Sequence, residues 1–234
     1  MMARRAIVLG ATGAVGSALV RELLAATDWI EVTALVRRPT DRFDALEGRS
    51  KLILKVTSMD QLESAAAAAG RGCTVAFSTL GVGQPRKVTR EEFWRVDVGY
   101  TAMFAQGCRA AGILHFSLLG AVGADPTSRS YYLKTKGRAE EAVKAQRFKR
   151  ASFFRPSLLV TREIRYGLQD RITQAVFPRI SRFLPARFHE IRVEDLARAM
   201  RLNAERPPTA PVEVLEYPQV AALLAAPAPG GPAA

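Results

Sequence analysis

Histidine and cysteine are scarce in this 234-residue chain, with two of each, and no apolar run is long. Each scarcity excludes a class of chemistry. Cys73 and Cys108 lack the paired short spacings of zinc ligation, and neither His115 nor His189 has a Cys or His at ligand spacing, so no metal site is predicted. The thiols read as buried and free, Cys73 in a strand and Cys108 in a helix. Apolar segments between charges and turns are about four to eight residues long, against the roughly 20 that a membrane span needs, so no transmembrane segment is predicted. The basic start, Met1-Met2-Ala3-Arg4-Arg5, is like that of a signal peptide, but the apolar run 6–9 after it ends at once in a glycine turn. It reads as a first strand, and the chain as cytoplasmic.

Positive charge is what the chain has in excess: 34 Lys and Arg against 22 Asp and Glu, a net +12. The charges are spread along the sequence, which suits an anionic small molecule as well as nucleic acid, or simply a soluble basic surface. No nucleic-acid-binding module or interleaved aromatic platform accompanies them, so no nucleic-acid partner is predicted. With 48% hydrophobic and 24% charged residues, one core is expected, in a single domain over 1–224. Residues 225–234 are only Ala, Pro and Gly and read as a disordered tail.

Short apolar runs at 6–9, 31–36, 52–56, 74–78, 113–119, 152–154 and 212–215 alternate with helical patterns at 14–26, 59–69, 90–111, 134–146 and 194–203. The runs lack polar and apolar alternation, as strands covered on both faces do. The fold class is therefore α/β, a doubly wound parallel sheet of about seven strands with helices on both faces. Ala65 to Ala69 form part of a helix packed closely on the sheet and ended by Gly70.

Ile7-Val8-Leu9-Gly10-Ala11-Thr12-Gly13-Ala14-Val15-Gly16 runs from a strand through three glycines, three apart, into a helix. Gly10 permits the tight turn, Gly13 lets backbone amides approach a pyrophosphate, and Gly16 lets the helix sit close on the strand. The helix N-terminus then faces the phosphates with its partial positive charge. A glycine triplet alone is weak; this strand-to-helix context makes it a nucleotide-binding loop, a tight structural turn being the alternative. About 20 residues later an NAD site would offer a carboxylate. Here the strand ends Leu35-Val36-Arg37-Arg38-Pro39, two guanidinium groups able to pair a 2′-phosphate, which predicts NADP(H) before NAD(H). Two merely solvated arginines are the alternative.

Further on, Ser130-Tyr131-Tyr132-Leu133-Lys134-Thr135-Lys136-Gly137 opens a helix and places Tyr132 and Lys136 one turn apart on one face. An ammonium beside a phenol favours the phenolate, so such a pair can exchange a proton with a carbonyl or alcohol. The same spacing also arises by chance on exposed helices. Taken with the glycine loop, Thr79-Leu80-Gly81, Phe93-Trp94-Arg95-Val96-Asp97, His115 to Leu119 with Gly123 to Asp125, and Phe154-Arg155-Pro156, the order of motifs resembles the atypical short-chain dehydrogenase/reductase family over nearly the whole chain before the tail. That resemblance implies a Rossmann sheet in the order 3-2-1-4-5-6-7. It implies a cofactor across Gly10 to Gly16, Arg37 and the Thr79 to Gly81 loop, Tyr132 and Lys136 at the nicotinamide, and Pro156, Ser157 and Leu158 bordering it.

The family places a Ser or Thr at the end of the fifth strand to bond the reacting oxygen, whereas Gly120 and Ala121 stand here. Ser117, three residues earlier, is the remaining candidate on that strand, with Ser128 and Ser130 in the next loop. Losing such a donor can cost about two orders of magnitude in rate. Residues 161–189 alternate arginines with apolar residues at helical spacing, suiting a substrate-side helix, a membrane-surface helix or a subunit interface. Asp195 reads as a first-turn charge of the last predicted helix. These readings point to an NADP(H)-dependent oxidoreductase acting on a small carbonyl or alcohol substrate, anionic if those arginines meet it. A non-catalytic NADP(H)-binding regulator with a protein partner is the alternative. Both monomer and homodimer are allowed, the 90–111 helix offering a dimer face.

Overall fold

The computed structural model describes residues 3–160 and 185–226. Nine strands are assigned among them: β1 Arg4–Leu9, β2 Trp29–Val36, β3 Leu52–Val56, β4 Val75–Ser78, β5 His115–Leu119, β6 Arg150–Phe154, β7 Leu159–Val160, β8 Ile191–Arg192 and β9 Val212–Leu215. Seven form one parallel sheet in the order β3-β2-β1-β4-β5-β6-β9. This is the expected Rossmann order, its seventh member being the 212–215 run. The short β7 and β8 pair with each other outside it.

The central strands read as largely apolar runs because both faces are covered, whereas the edge strands β3 and β9 leave Ile53, Val56, Val212 and Val214 exposed. Along β1, Ala6 and Val8 pack into one core cluster and Ile7 and Leu9 into the other, all nearly inaccessible to solvent. Helices α1 (Ala14–Ala25) and α6 (Val193–Glu205) build the first cluster; α2 (Leu62–Ala69), α4 (Tyr100–Ala110) and α5 (Tyr131–Lys144) build the second. The alanine run of α2 sits against α4, close enough that a Cβ on Gly107 would strike Glu63 O and Ala66 Cβ. Helix α3 (Arg90–Trp94) runs into α4 through a π-helical turn, Arg95–Gly99, so the predicted 90–111 helix is interrupted.

Other differences have local causes. Cys73 lies in the turn before β4, not in a strand; both thiols are buried and free, and burial raises that of Cys73 to about 11. Helix α7 (Tyr217–Ala225) was not predicted and ends on the first residue of the predicted tail: Pro218 sits in its first turn, Gln219 Oε1 accepts from Glu216 N–H (3.1 Å), and Val220 reaches the core. The remainder of the tail call, 227–234, lies outside the described residues, as does 161–184 of the arginine-rich segment. Glu194 and Asp195 occupy the first turn of α6, as read.

Near the strand starts, a buried polar network joins β5, β6, β9 and α6. Arg150 donates to Glu213 (2.9 Å) and Asn203 (3.0 Å), and Ser152 Oγ bonds Glu213 Oε2 (2.8 Å), Asn203 Nδ2 (2.9 Å) and His115 Nε2 (2.9 Å). Burial, with Arg150 beside it, pushes the His115 imidazole down to about 3. Burial alone would raise the Glu213 carboxyl, but hydrogen bonds from Thr209, Ser152 and Arg150 outweigh it and hold the group at about 2.

Candidate functional site

The opposite, C-terminal edge of the sheet carries the glycine loop. After β1 the chain turns at Gly10 with φ +84°, and Gly13 N–H donates to Gly10 O (3.0 Å). Helix α1 starts after Gly13 with no side-chain cap, so no capping side chain accepts from its first N–H groups. The three glycines differ in what they meet. A Cβ on Gly10 would lie 2.6 Å from Leu80 N, and one on Gly16 would collide with Gly10 O and approach Thr79 Oγ1 to 2.6 Å. Thr79 is held there by its hydroxyl, which donates toward Leu9 O and Gly10 O at 3.2 Å. A Cβ on Gly13 would touch only Gly10 O, at 3.3 Å. Protein packing thus requires Gly10 and Gly16, while Gly13 leaves its side open, the property a phosphate cradle needs. Of the other loop residues, Ala11, Val15 and Gly16 are buried, Ala14 half-buried and Thr12 exposed.

The Thr79–Leu80–Gly81 loop connects this cradle to the second half of the site. A Cβ on Gly81 would lie 3.2 Å from Lys136 Nζ and 3.3 Å from Asp97 Oδ1. Lys136 Nζ donates to Asp97 Oδ1 at 2.5 Å, and Val82 N–H donates to Asp97 Oδ2 at 3.0 Å. Both charged side chains are buried. Asp97 stands in the π-helical turn, whose extra residue re-aims one side chain from an otherwise regular helix. Tyr132, one turn before Lys136, is 39% exposed, with Lys136 Nζ 5.8 Å from its ring centroid. Its ring stacks on Phe93, with centroids 5.8 Å apart and an interplanar angle of 3°. Ser130 Oγ caps α5 by accepting from Leu133 N–H, so the helix starts at Tyr131, three residues before the predicted 134.

Arg37 and Arg38 are exposed just beyond β2. Pro156, Ser157 and Leu158 follow β6 and tie neighbouring segments: Val122 N–H donates to Pro156 O (3.0 Å), Ser157 Oγ to Phe188 O (3.1 Å) and Ile191 N–H to Leu158 O (2.9 Å). Ser117 is fully buried within β5, and its Oγ has no hydrogen-bond partner among the described residues. It is closed to a substrate oxygen. A Cβ on Gly120 would lie 3.2 Å from Glu140 Oε1, a buried carboxylate that Arg155 grips at 2.8 and 2.6 Å. Ala121 is buried. In the sequence Phe93 and Asp97 stand out only as parts of one motif, since the run Phe93 to Asp97 has no spacing to Lys136 that marks their roles. Among the described residues, no group of three or more His, Cys, Asp or Glu is placed to hold a metal, and no helix is long and apolar enough to cross a membrane.

The family described as NAD(P)H-binding matches residues 10–183. Protein HTATIP2 of Rattus norvegicus is 31% identical over 219 residues, 92% of this chain and 87% of that protein. Protein FMP52, mitochondrial, of Debaryomyces hansenii is 29% identical over 170 residues, 72% of this chain and 73% of that one. Among solved structures, MoeE5 in complex with UDP-glucuronic acid and NAD superimposes with a TM-score of 0.70 at 20% identity, over 91% of this chain and 76% of that chain. UDP-glucuronic acid 4-epimerase from Bacillus cereus in complex with NAD gives 0.67 at 14% identity, over 90% and 76%. The structural likenesses show a shared Rossmann-type fold.

Proposed function

The chain belongs to the NAD(P)H-binding family, with the features of an atypical short-chain dehydrogenase/reductase, and from that premise we propose that it is an NADP(H)-dependent oxidoreductase for a small carbonyl or alcohol substrate. The observation that carries this reading is the contact of one loop, Thr79 to Gly81, with both the phosphate cradle at Gly10 and the Lys136–Asp97 pair. A dinucleotide needs such a continuous edge. Its pyrophosphate would lie on the open side of Gly13 and the free N–H groups of α1. Arg37 and Arg38 would take a 2′-phosphate, which is the ground for NADP(H) over NAD(H). Bound there, the nicotinamide supplies or accepts a hydride.

The chain's own part is proton transfer and positioning. Tyr132 Oη gives a proton to the substrate oxygen in reduction and takes it in oxidation, which its exposure permits. Phe93 fixes the plane of the phenol from one face. Lys136 stays fixed between Tyr132 and Gly81 because Asp97 holds its ammonium. Pro156, Ser157 and Leu158 border the same edge and set its floor. Tyr132→Phe tests the role: turnover of a carbonyl panel with NADPH is expected to fall at least a hundredfold with nucleotide binding unchanged. Full activity in that variant would remove Tyr132 from the chemistry.

One observation favours the second reading, a non-catalytic NADP(H)-binding regulator. The place where the family carries a hydroxyl is Gly120, and Glu140 stands against it, so a serine there would meet a carboxylate already gripped by Arg155. Nucleotide binding without turnover of any carbonyl or alcohol would support this reading over the first.

A further inference from the structure

At the opposite edge of the sheet from the glycine loop, a cavity of about 470 Å³ opens among the starts of four adjacent strands, β1, β4, β5 and β6. Six residues of β1 separate it from Gly10, about 20 Å at a strand's rise. All the described charged residues lining it are cationic: Arg4, Lys149, Arg150 and Arg206. Asp28 pairs with Arg4, and Glu213 with both Arg150 and Arg206. Among the described residues no carboxylate pairs with the exposed Lys149. Two carboxylates therefore face four cations, an excess that attracts an anion.

His115 lines the same cavity, and the network behind it fixes which ring nitrogen carries the proton. The Glu213 carboxyl, held at about 2, is ionised at neutral pH and can only accept. Ser152 has one proton, and it goes to Glu213 Oε2 at 2.8 Å. Toward its other partners, Asn203 Nδ2 and His115 Nε2, both at 2.9 Å, Ser152 Oγ must be the acceptor. Nε2 therefore bears the hydrogen, and since burial keeps the ring neutral, Nδ1 is a bare acceptor. No described residue donates to it.

We propose that this cavity is a second ligand site, separate from the nucleotide edge, for a small organic anion that also bears a hydroxyl group. Lys149, with Arg4 and Arg206, receives the anionic group, and His115 Nδ1 accepts from the hydroxyl. Leu114, 53% exposed and also in the lining, gives the carbon skeleton an apolar contact.

The test uses the full chain, with and without saturating NADPH, titrated calorimetrically with glycerol 3-phosphate against inorganic phosphate and with glycerate against acetate. In at least one pair the hydroxylated member binds at least tenfold more tightly, which also tells a phosphate ester from a carboxylate. With only two histidines in the chain, ¹⁵N spectra of the imidazoles can be assigned directly. They should show His115 in the Nε2–H form at pH 7 and a shift of its Nδ1 resonance on binding. Lys149→Glu should weaken the anion at least tenfold and leave the NADPH titration unchanged. The proposal is overturned by an Nδ1–H tautomer, by hydroxylated anions that bind no better than bare ones, by an affinity indifferent to Lys149→Glu, or by displacement with NADPH. A failure of NADPH itself to bind would count against the proposed function, not against this site.

Discussion

Replacing Asp97 by alanine would strand the Lys136 ammonium, whose side chain is 11% exposed, without its counter-charge, and would leave Val82 N–H without an acceptor. Removing one partner of a buried ion pair costs about 3–5 kcal/mol, because the remaining charge is desolvated and uncompensated. In a chain of this length each kcal/mol lowers Tm by about 2–4 °C, so Asp97→Ala should melt about 6–20 °C below the parent. Lys136→Ala strands the carboxylate instead and should be comparable. The double variant removes both charges and should lose clearly less than the sum of the two, a coupling of the kind contacting charges show. Asp97→Asn keeps one carbonyl oxygen for Val82 N–H and should fall between. Urea unfolding with a common m-value reads all four. A loss under about 1 kcal/mol in Asp97→Ala, or strict additivity in the double variant, would refute the claim that this pair holds the π-helical turn to α5.

The glycines of the loop should separate by phenotype. Gly16→Val forces a side chain into Gly10 O and Thr79 and should cost several kcal/mol of stability, whereas Gly13→Val should melt near the parent temperature and lose NADPH-induced stabilisation. A Gly13→Val protein that still binds NADPH normally would remove this glycine from the cradle. Stability should also fall with acid. His115 is held at about 3 against 6.5 when unfolded, so the unfolded chain takes up a proton first as pH drops below 6.5, and up to about 1.4 kcal/mol is lost per pH unit down to about 3. Glu213, at about 2 against 4.5, adds a second loss of the same sign below 4.5. A urea midpoint that does not change between pH 6.5 and 4 would contradict the buried neutral imidazole.

The strands and the glycine loop were legible because their signals are local, whereas the order of the sheet came from the family resemblance. Short apolar runs such as 6–9 in β1 bury both faces, and Gly10, Gly13 and Gly16 fall at the spacing of one turn into a helix. What sequence reading missed depends on partners far away. The polar network joins Arg150 and Ser152 to Asn203 and Glu213, about 50 to 60 residues on, and no periodicity marks them. Asp97 looked like one acid on a regular helix until the π-helical turn brought it to Lys136, 39 residues later. The strands β7 and β8 are two residues each, too short for a pattern. Helix α7 did have a signal, Glu216 and Gln219 around Pro218 before Val220 and Leu223, which the Ala- and Pro-rich composition beyond it obscured.

If this edge of the sheet binds NADP(H), the bound nucleotide adds to the stability of the fold. The direct measurement is the thermal stability of the purified chain with NADPH and with NADH, in the parent and in Arg37→Asp. At about 100 times its dissociation constant a ligand stabilises by about 2.7 kcal/mol, some 5–11 °C here. NADPH should give this shift at concentrations where NADH gives little, and Arg37→Asp should abolish the preference. If neither nucleotide raises the melting temperature, the cradle at Gly13 holds no dinucleotide and the claim is contradicted.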